Sequence, residues 1–122
     1  MAEDLALLAE LYEGRTLILL EAGYPSGELC GGSEERQAEF IRQIFSAWDR
    51  HADQLELVSF TWPTDLPESA VTSFQEYYGV ATPCFAEMLG SLGLRRRAGS
   101  GRDKPAFREL KAQAARHGWP SR

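Results

Sequence analysis

The sequence predicts a mixed α/β domain in which two parallel strands are flanked by helices. Residues 15–21 form a short apolar run without alternation, as is typical of strands buried on both faces of a helix-covered parallel sheet. Residues 55–61 predict a second strand, and residues 33–50 between the two carry an apolar stripe at helical spacing. Two strands joined by a helix favour parallel pairing with a right-handed crossover.

The other elements are helical. An apolar pattern over residues 2–13 predicts a helix that ends at Gly14, and Ser33 is a good N-cap for the helix that follows the first strand. Further helices are predicted over residues 67–78, 83–92 and 104–117. The order is helix, strand, helix, strand, an irregular helical insert and a last helix.

Length and composition fit one soluble globular domain over residues 1–122. The chain has 122 residues, of which 43% are hydrophobic and 25% are charged. The longest apolar run, Leu17 to Leu20, is too short to span a bilayer, so no membrane partner is expected. The acidic N-terminus does not resemble a signal peptide, which leaves the localisation open.

Charge is distributed unevenly along the chain. Residues 1–94 hold four basic and sixteen acidic side chains, whereas residues 95–122 hold nine basic and two acidic ones. A basic segment can bind an anionic partner. However, no aromatic residue is interleaved with Arg95, Arg96 and Arg97, so no nucleic acid is expected. The basic residues are interpreted as a solvated loop and helix that offset the acidic body.

The cysteines and histidines do not indicate a metal site. Cys30 and Cys84 lack the paired spacing of a zinc site, and they are predicted to be two free thiols, although one disulfide is possible. His51 and His117 fall near the ends of predicted helices, where a cation is favoured by the exposed carbonyl groups. Neither a metal nor a cofactor is therefore expected.

The residues best placed to bind or react with a ligand lie at the ends of the two strands. In parallel α/β folds, ligands bind beyond the carboxyl ends of the strands. This rule selects Glu21 at the end of the first strand, and Trp62 with Asp65 after the second. The alternatives are that Glu21 is only the polar end of a strand and that Trp62 is a core residue.

Three segments together resemble the large clan of retaining (β/α)8-barrel β-glycoside hydrolases. Residues 19–26 resemble its seventh-strand motif, in which a Glu closes the strand before a Gly-aromatic-Pro-Ser turn. Residues 59–62 resemble the eighth strand, which ends in an aromatic residue at the sugar-binding floor. Residues 92–94 and the Lys-Pro-Ala-Phe of 104–107 resemble the approach to the eighth helix. The segments follow the family's order and cover nearly the whole chain, which implies a partial TIM barrel.

The resemblance implies a role for each strand-end residue. Glu21 matches the nucleophile, which would attack the anomeric carbon, and Trp62 matches the aromatic platform that covers the apolar face of a pyranose. Tyr24 and Asp65 are expected to contact sugar hydroxyls because of their positions. The resemblance also implies a cis peptide bond near Trp62. Because the cis form costs little free energy before a proline, this bond is predicted at Trp62–Pro63. The Gly-Tyr-Pro turn favours endo-acting enzymes on β-linked plant polysaccharides, such as galactanases.

The chain also departs from the family. Retaining hydrolysis needs a second carboxyl group about 5 Å from the nucleophile, and in this clan it belongs to a Glu preceded by Asn on the fourth strand. The sequence has no asparagine and only two of eight strands, so the chain is expected to be inactive alone.

Two other interpretations stay open. The chain could be an interaction module that binds itself or a partner, or an unrelated α/β domain in which Glu21 is structural. The inner faces of Leu17, Leu19, Leu57 and Ser59 are expected to be uncovered, which favours a homo-oligomer or docking of the missing barrel half.

Overall fold

The computed structural model describes residues 2–97 and 101–120. In this part of the chain the fold is mixed α/β, with five helices and one two-stranded parallel sheet. Each predicted element is present, with bounds within two residues of those expected. The elements in chain order are α1 (Ala2–Leu11), β1 (Leu17–Ala22), α2 (Glu34–Arg50), β2 (Leu55–Phe60), α3 (Glu68–Tyr78), α4 (Pro83–Ser91) and α5 (Pro105–Arg116).

The sheet has the predicted parallel pairing. Leu17 lies opposite Leu55, Ile18 opposite Leu57, and the ladder ends with Ala22 opposite Phe60. The register shifts between Leu17 and Ile18 and again before Ala22. Strand β1 ends one residue later than predicted, so Glu21 lies within the strand.

The capping predictions are confirmed at α2 and α5. The Ser33 hydroxyl accepts a hydrogen bond from the Arg36 amide at 3.1 Å, which satisfies one free donor of the first turn. His51 and His117 are the C-caps of the two helices. The ring of His117 lies 2.7 Å from the Asp49 carboxylate, and this hydrogen bond raises the pKa of the imidazole. A cationic ring at this position also suits the negative end of the helix dipole.

The core lies between one face of the sheet and the helices α2 and α5. The apolar stripe of α2 is almost completely buried, and residues of β1, β2 and α5 pack against it. The buried members on α2 are Ala38, Phe40, Ile41, Ile44, Phe45 and Ala47. Burial of this stripe is the main apolar contribution to the fold, because each fully buried large side chain contributes roughly 1.5–3 kcal/mol.

The opposite face of the sheet carries apolar side chains in contact with solvent. Ile18 is 53% exposed, Leu20 72% and Leu57 45%, and Ser59 is exposed between them. These four residues are called the open sheet face below. The prediction that Leu57 and Ser59 are uncovered is confirmed.

The prediction that Leu17 and Leu19 of β1 are uncovered is wrong. Leu19 packs against the core and Leu17 is half-buried, whereas Ile18 and Leu20 are the exposed residues. The register shift after Leu17 places Ile18 opposite Leu57, and a shift of one residue exchanges the two faces of a strand.

The prediction of free thiols is also wrong. Cys30 and Cys84 form a disulfide with a Cα–Cα distance of 5.3 Å, which lies in the ordinary range for such bonds. It connects the loop after β1 to the first turn of α4. The residues are 54 positions apart in sequence, so only the tertiary fold brings them together.

The basic segment pairs with acidic side chains. Arg96 and Arg102 both contact the Glu34 carboxylate, at 2.6 and 2.9 Å. Arg95 and Lys111 contact the two oxygens of Asp103, at 2.7 and 2.9 Å. Burial opposes ionisation of Glu34, but its two arginine partners together lower the pKa of that carboxyl group. The contacts with Glu34 join this segment to the acidic body, as that interpretation expects, whereas Asp103 belongs to the segment itself.

The described residues contain neither a membrane-spanning helix nor a cluster of metal-binding side chains. None of the helices in residues 2–97 and 101–120 is long and apolar enough to cross a membrane. Within the same residues, no group of three or more His, Cys, Asp and Glu side chains is placed to hold a metal ion.

Candidate functional site at the strand ends

Glu21 lies one residue before the end of β1 and its side chain is exposed. Among the described residues, none donates a hydrogen bond to its carboxylate and none forms an ion pair with it. Because Glu21 is exposed, water solvates its carboxylate, and a ligand that approaches from solvent can reach it. The neighbouring Ala22 is buried and ends the strand.

The ends of β1 and β2 are in direct contact. The Thr61 amide donates to the Ala22 carbonyl at 3.0 Å, which extends the parallel ladder past the end of β2. A Cβ on Gly23 would lie 3.1 Å from both the Thr61 carbonyl oxygen and a Leu92 methyl group, so glycine allows this close approach. The main chains that carry Glu21 and Trp62 are therefore neighbours.

Trp62 is half-buried and its ring stacks on Phe74 of α3, with centroids 5.9 Å apart. The predicted cis bond at Trp62–Pro63 is wrong, because the cis bond in the described residues is Thr61–Trp62. The low cost of an X–Pro cis bond identifies a permitted isomer and does not require it. The backbone carbonyl of Trp62 accepts from the Leu94 amide at 3.0 Å, which fixes the turn after β2.

Asp65 is held by a buried lysine. One carboxylate oxygen accepts from Nζ of Lys104 at 2.6 Å, and the Asp65 side chain is only 16% exposed. Burial raises the pKa of Asp65, and the lysine partly opposes this rise. The contact assigns Asp65 a part in anchoring the loop after β2, and its contact with a sugar hydroxyl stays a prediction.

Tyr24 turns toward the helix layer. Its ring lies 5.9 Å from that of Phe40, and it lines a cavity of about 380 Å³ with Arg36, Glu39 and Gln43 of α2. Phe40 belongs to the core on the covered side of the sheet. The structure therefore separates the ring of Tyr24 from the open sheet face, and its predicted sugar contact also stays a prediction.

Lys104 connects the loops that follow both strands. Its side chain is 1% exposed, and the three N–H donors of Nζ are shared among four acceptors, namely the Asp65 carboxylate, the Ser26 hydroxyl at 3.0 Å and the carbonyls of Ser91 and Gly93 at 3.2 and 2.7 Å. Burial lowers the pKa of this amine, and the Asp65 carboxylate opposes the change. A fully buried lysine is rare unless it is paired in this way.

Gln37 completes the same anchor from α2. Its side-chain amide nitrogen lies within 3.3 Å of four carbonyl oxygens, and the side chain is fully buried. The acceptors are Tyr24, Ser91, Leu92 and Gly93. Four carbonyl oxygens around one position require the NH₂ end of the amide there. The other end, Oε1, has no hydrogen-bond partner among the described residues. Lys104 and Gln37 are called the loop anchor below.

The anchoring roles of Lys104 and Gln37 were not predicted from the sequence. A signal existed for Gln37, because it lies three residues before Phe40 on the apolar stripe of α2, where a polar residue is unusual. The pairing of Lys104 with Asp65 crosses 39 residues and has no local signal.

Two further contacts tie the loop after β1 to α4. The Glu87 carboxylate accepts from the Leu29 amide at 2.6 Å, and the Cys30–Cys84 disulfide lies next to it. The loops around the strand ends are thus held by covalent, ionic and hydrogen bonds. This rigidity suits a site whose side chains must keep a fixed geometry.

No family model matches the chain, and neither a curated protein nor a solved structure is detectably similar to it.

Proposed function

We propose that the chain is the C-terminal part of a retaining (β/α)8-barrel β-glycoside hydrolase, with Glu21 as its nucleophile. The observation that carries the proposal is an exposed carboxylate with no partner among the described residues, at the carboxyl end of a parallel strand. Catalytic groups of such barrels lie at this end of the strands. The motif resemblance around residues 19–26, 59–62 and 104–107 supports the assignment.

In this proposal Glu21 attacks the anomeric carbon and forms a covalent glycosyl-enzyme, which water then hydrolyses. Trp62 covers the apolar face of the sugar. The acid/base must be a second carboxyl group about 5 Å from the nucleophile. Asp65 is a poor candidate because Lys104 already holds its carboxylate. The acid/base must then come from a strand outside this chain.

The open sheet face supports the same proposal. The interior of a complete barrel is filled by layers of apolar side chains from several strands. Ile18, Leu20 and Leu57 would supply part of such layers, and here they meet solvent. A barrel whose other strands complete the sheet would bury them and pair the free strand edges.

The proposal predicts hydrolysis only for a complete barrel. We expect no measurable turnover of aryl β-glycosides by the 122-residue chain. We expect turnover by the complete product of the gene that encodes it, measured by release of the chromogenic aryl group. In that product Glu21→Gln should reduce kcat by at least about 10³-fold, because the covalent step is lost.

Glu56→Gln is the matched control, since Glu56 is an exposed glutamate on the neighbouring strand. It should leave turnover within about twofold, because surface substitutions away from a site have small effects. Turnover by the 122-residue chain that vanishes in Glu21→Gln would reveal an acid within the chain. Turnover of the complete product that survives Glu21→Gln would remove Glu21 as nucleophile.

The second candidate function is a non-catalytic module that self-associates, and the same open sheet face favours it. Each strand of a two-stranded sheet has an unpaired edge that can pair with another chain. Exposed apolar side chains on the sheet also favour association. We expect the isolated chain to self-associate, with a sedimentation coefficient that rises with protein concentration. Leu20→Lys should abolish this self-association, whereas Leu7→Lys, at an exposed leucine of α1, should leave it unchanged. A monodisperse monomer with a sharp thermal transition would contradict the expectation.

A further inference from the structure

We propose that His117 is a pH-sensitive clasp, which holds the end of the chain on α2 while its ring is cationic and releases it when the ring is neutral. Residues 117–120 follow α5 and are called the C-terminal turn below. The clasp depends on the contacts of one imidazole ring. It is independent of Glu21 and of the proposed hydrolase function.

Both nitrogens of the His117 ring face oxygen atoms. Nδ1 lies 2.8 Å from the backbone carbonyl oxygen of Gln113, and Nε2 lies 2.7 Å from the Asp49 carboxylate on α2. Both oxygens can only accept hydrogen bonds, whereas a neutral imidazole has a single N–H donor. Only the cationic ring can therefore donate to both oxygens. Deprotonation leaves one nitrogen lone pair against an oxygen atom.

Two aromatic rings and a helix end also favour the cation. The centroid of the His117 ring lies 5.2 Å from that of Phe45 and 5.9 Å from that of Trp119. A cation within about 6 Å of an aromatic centroid is attracted by the ring electrons. His117 is also the C-cap of α5, where exposed carbonyl groups form the negative end of the helix dipole. Each of these contacts is stronger for imidazolium than for imidazole.

Asp49 is the charged group that contacts the ring. On α2 the next residue, Arg50, directs its guanidinium to the Ser46 carbonyl at 3.2 Å. On α5 the residue before the ring, Arg116, is exposed to solvent. The cationic form of His117 is therefore paired with a carboxylate, while the two neighbouring arginines are directed to a carbonyl group or to water.

The C-terminal turn places Trp119 beside the clasp. The Gly118 amide donates to the Ala115 carbonyl at 3.1 Å and the Trp119 amide donates to the Ala114 carbonyl at 2.9 Å, which is the Schellman arrangement of a helix end. Gly118 has a φ of 70°, the left-handed conformation that this arrangement needs. The indole of Trp119 then lies edge to face on Trp48 of α2, with centroids 5.5 Å apart.

Release of the turn would uncover apolar surface of α2. Phe45 is only 1% exposed, and the rings of His117 and Trp119 are among those that pack on it. Trp119 itself is 42% exposed, so it is only partly packed. Short terminal segments open at a low free-energy cost, and the loss of one ionic hydrogen bond therefore changes the open population measurably.

The direction of the pH effect follows from the contacts of the ring. The hydrogen bond with Asp49 is the largest cause of the raised pKa of His117, the Gln113 carbonyl adds to it, and desolvation opposes it. A group whose pKa is raised by folding stabilises the folded form below its unfolded pKa, which is 6.5 here. The turn is therefore held in mildly acidic solution and released as the pH rises through the raised pKa.

Amide hydrogen exchange followed by NMR tests the clasp in the 122-residue chain. The protection factors of the Gly118 and Trp119 amides, corrected for the intrinsic pH dependence of exchange, report opening of the turn. We expect both to fall roughly fivefold between about pH 5.5 and about pH 8, the size of a favourable charge at a helix C-terminus. The titration midpoint of the His117 ring protons should lie above the ordinary value for histidine.

Three variants isolate the clasp. His117→Gln keeps a side-chain donor but cannot titrate, so its protection factors should be independent of pH. Asp49→Asn should lower the pKa of His117 and reduce the fall in protection. His51→Gln is the matched control, because His51 is the C-cap of α2 and no hydrogen bond or ring contact joins its side chain to residues 117–120. It should behave as the parent does. At about pH 8 the thermal midpoint of His117→Gln should match the parent's, which excludes unfolding as the cause.

Three results would overturn the proposal. The first is protection at Gly118 and Trp119 that does not change with pH in the parent chain. The second is a fall that persists in His117→Gln, which would assign the titration to another group. The third is a fall of unchanged size in Asp49→Asn, which would remove the ionic contact between α5 and α2 as its cause.

Discussion

Replacement of Lys104 by methionine is expected to lower the free energy of unfolding by about 3–5 kcal/mol, the usual cost of removing one partner of a buried ion pair. The substitution keeps most of the side-chain volume but leaves the Asp65 carboxylate buried without its cation. It also removes the donor to the Ser26 hydroxyl and one of the two side-chain donors to the Gly93 carbonyl, the other being Gln37. Urea unfolding followed by circular dichroism measures the change.

Lys111→Met is the matched control for this prediction. Lys111 also binds an aspartate, Asp103, at 2.9 Å, but its side chain is 54% exposed. Exposed pairs contribute little, so a loss of at most about 1 kcal/mol is expected. The double substitution Lys104→Met with Asp65→Leu should recover part of the lost stability, because no unpaired charge stays buried. Equal effects of Lys104→Met and Lys111→Met would show that the loop anchor does not stabilise the fold.

Loss of the disulfide is the second large effect. Cys84→Ser should lower the free energy of unfolding by about 4 kcal/mol, because the bond closes a long loop in the unfolded chain. The two cysteines are 54 residues apart in sequence. Chemical unfolding in the absence of reductant measures the difference.

Two controls accompany the cysteine substitution. The double variant Cys30→Ser with Cys84→Ser should resemble Cys84→Ser alone, since either change removes the same bond. Reductant should destabilise the parent chain and leave both variants unchanged. A parent chain whose unfolding midpoint is insensitive to reductant would show that the bond adds nothing to stability.

Much of the fold could be predicted from local patterns. The stripe of α2 follows from Phe40, Ile41, Ile44 and Phe45 at helical spacing, and its start follows from Ser33. The parallel pairing of β1 and β2 follows from the helix between them. These features depend on residues that are close in sequence, which is why they can be read without coordinates.

The features that were missed depend on residues far apart in sequence. The disulfide, the Lys104–Asp65 pair and the register shift after Leu17 all arise from tertiary packing. The register shift pairs Ile18 with Leu57, so Leu17 and Leu19 do not share a face with Leu57 as was predicted. At the candidate site, the position of Glu21 could be predicted from the strand-end rule, whereas the engagement of Asp65 by a buried lysine could not.

Covalent trapping is the direct test of the proposal that Glu21 is the nucleophile of a retaining glycosidase. The complete gene product is incubated with activated 2-deoxy-2-fluoro β-glycosides, which form the glycosyl-enzyme but turn over slowly. Tryptic digestion after reduction of the disulfide cuts at Arg15 and Arg36, so residues 16–36 form one peptide. We expect a single glycosyl adduct on this peptide, located at Glu21 by fragmentation and absent in Glu21→Gln. An adduct on any other carboxylate, or none at all, would contradict it.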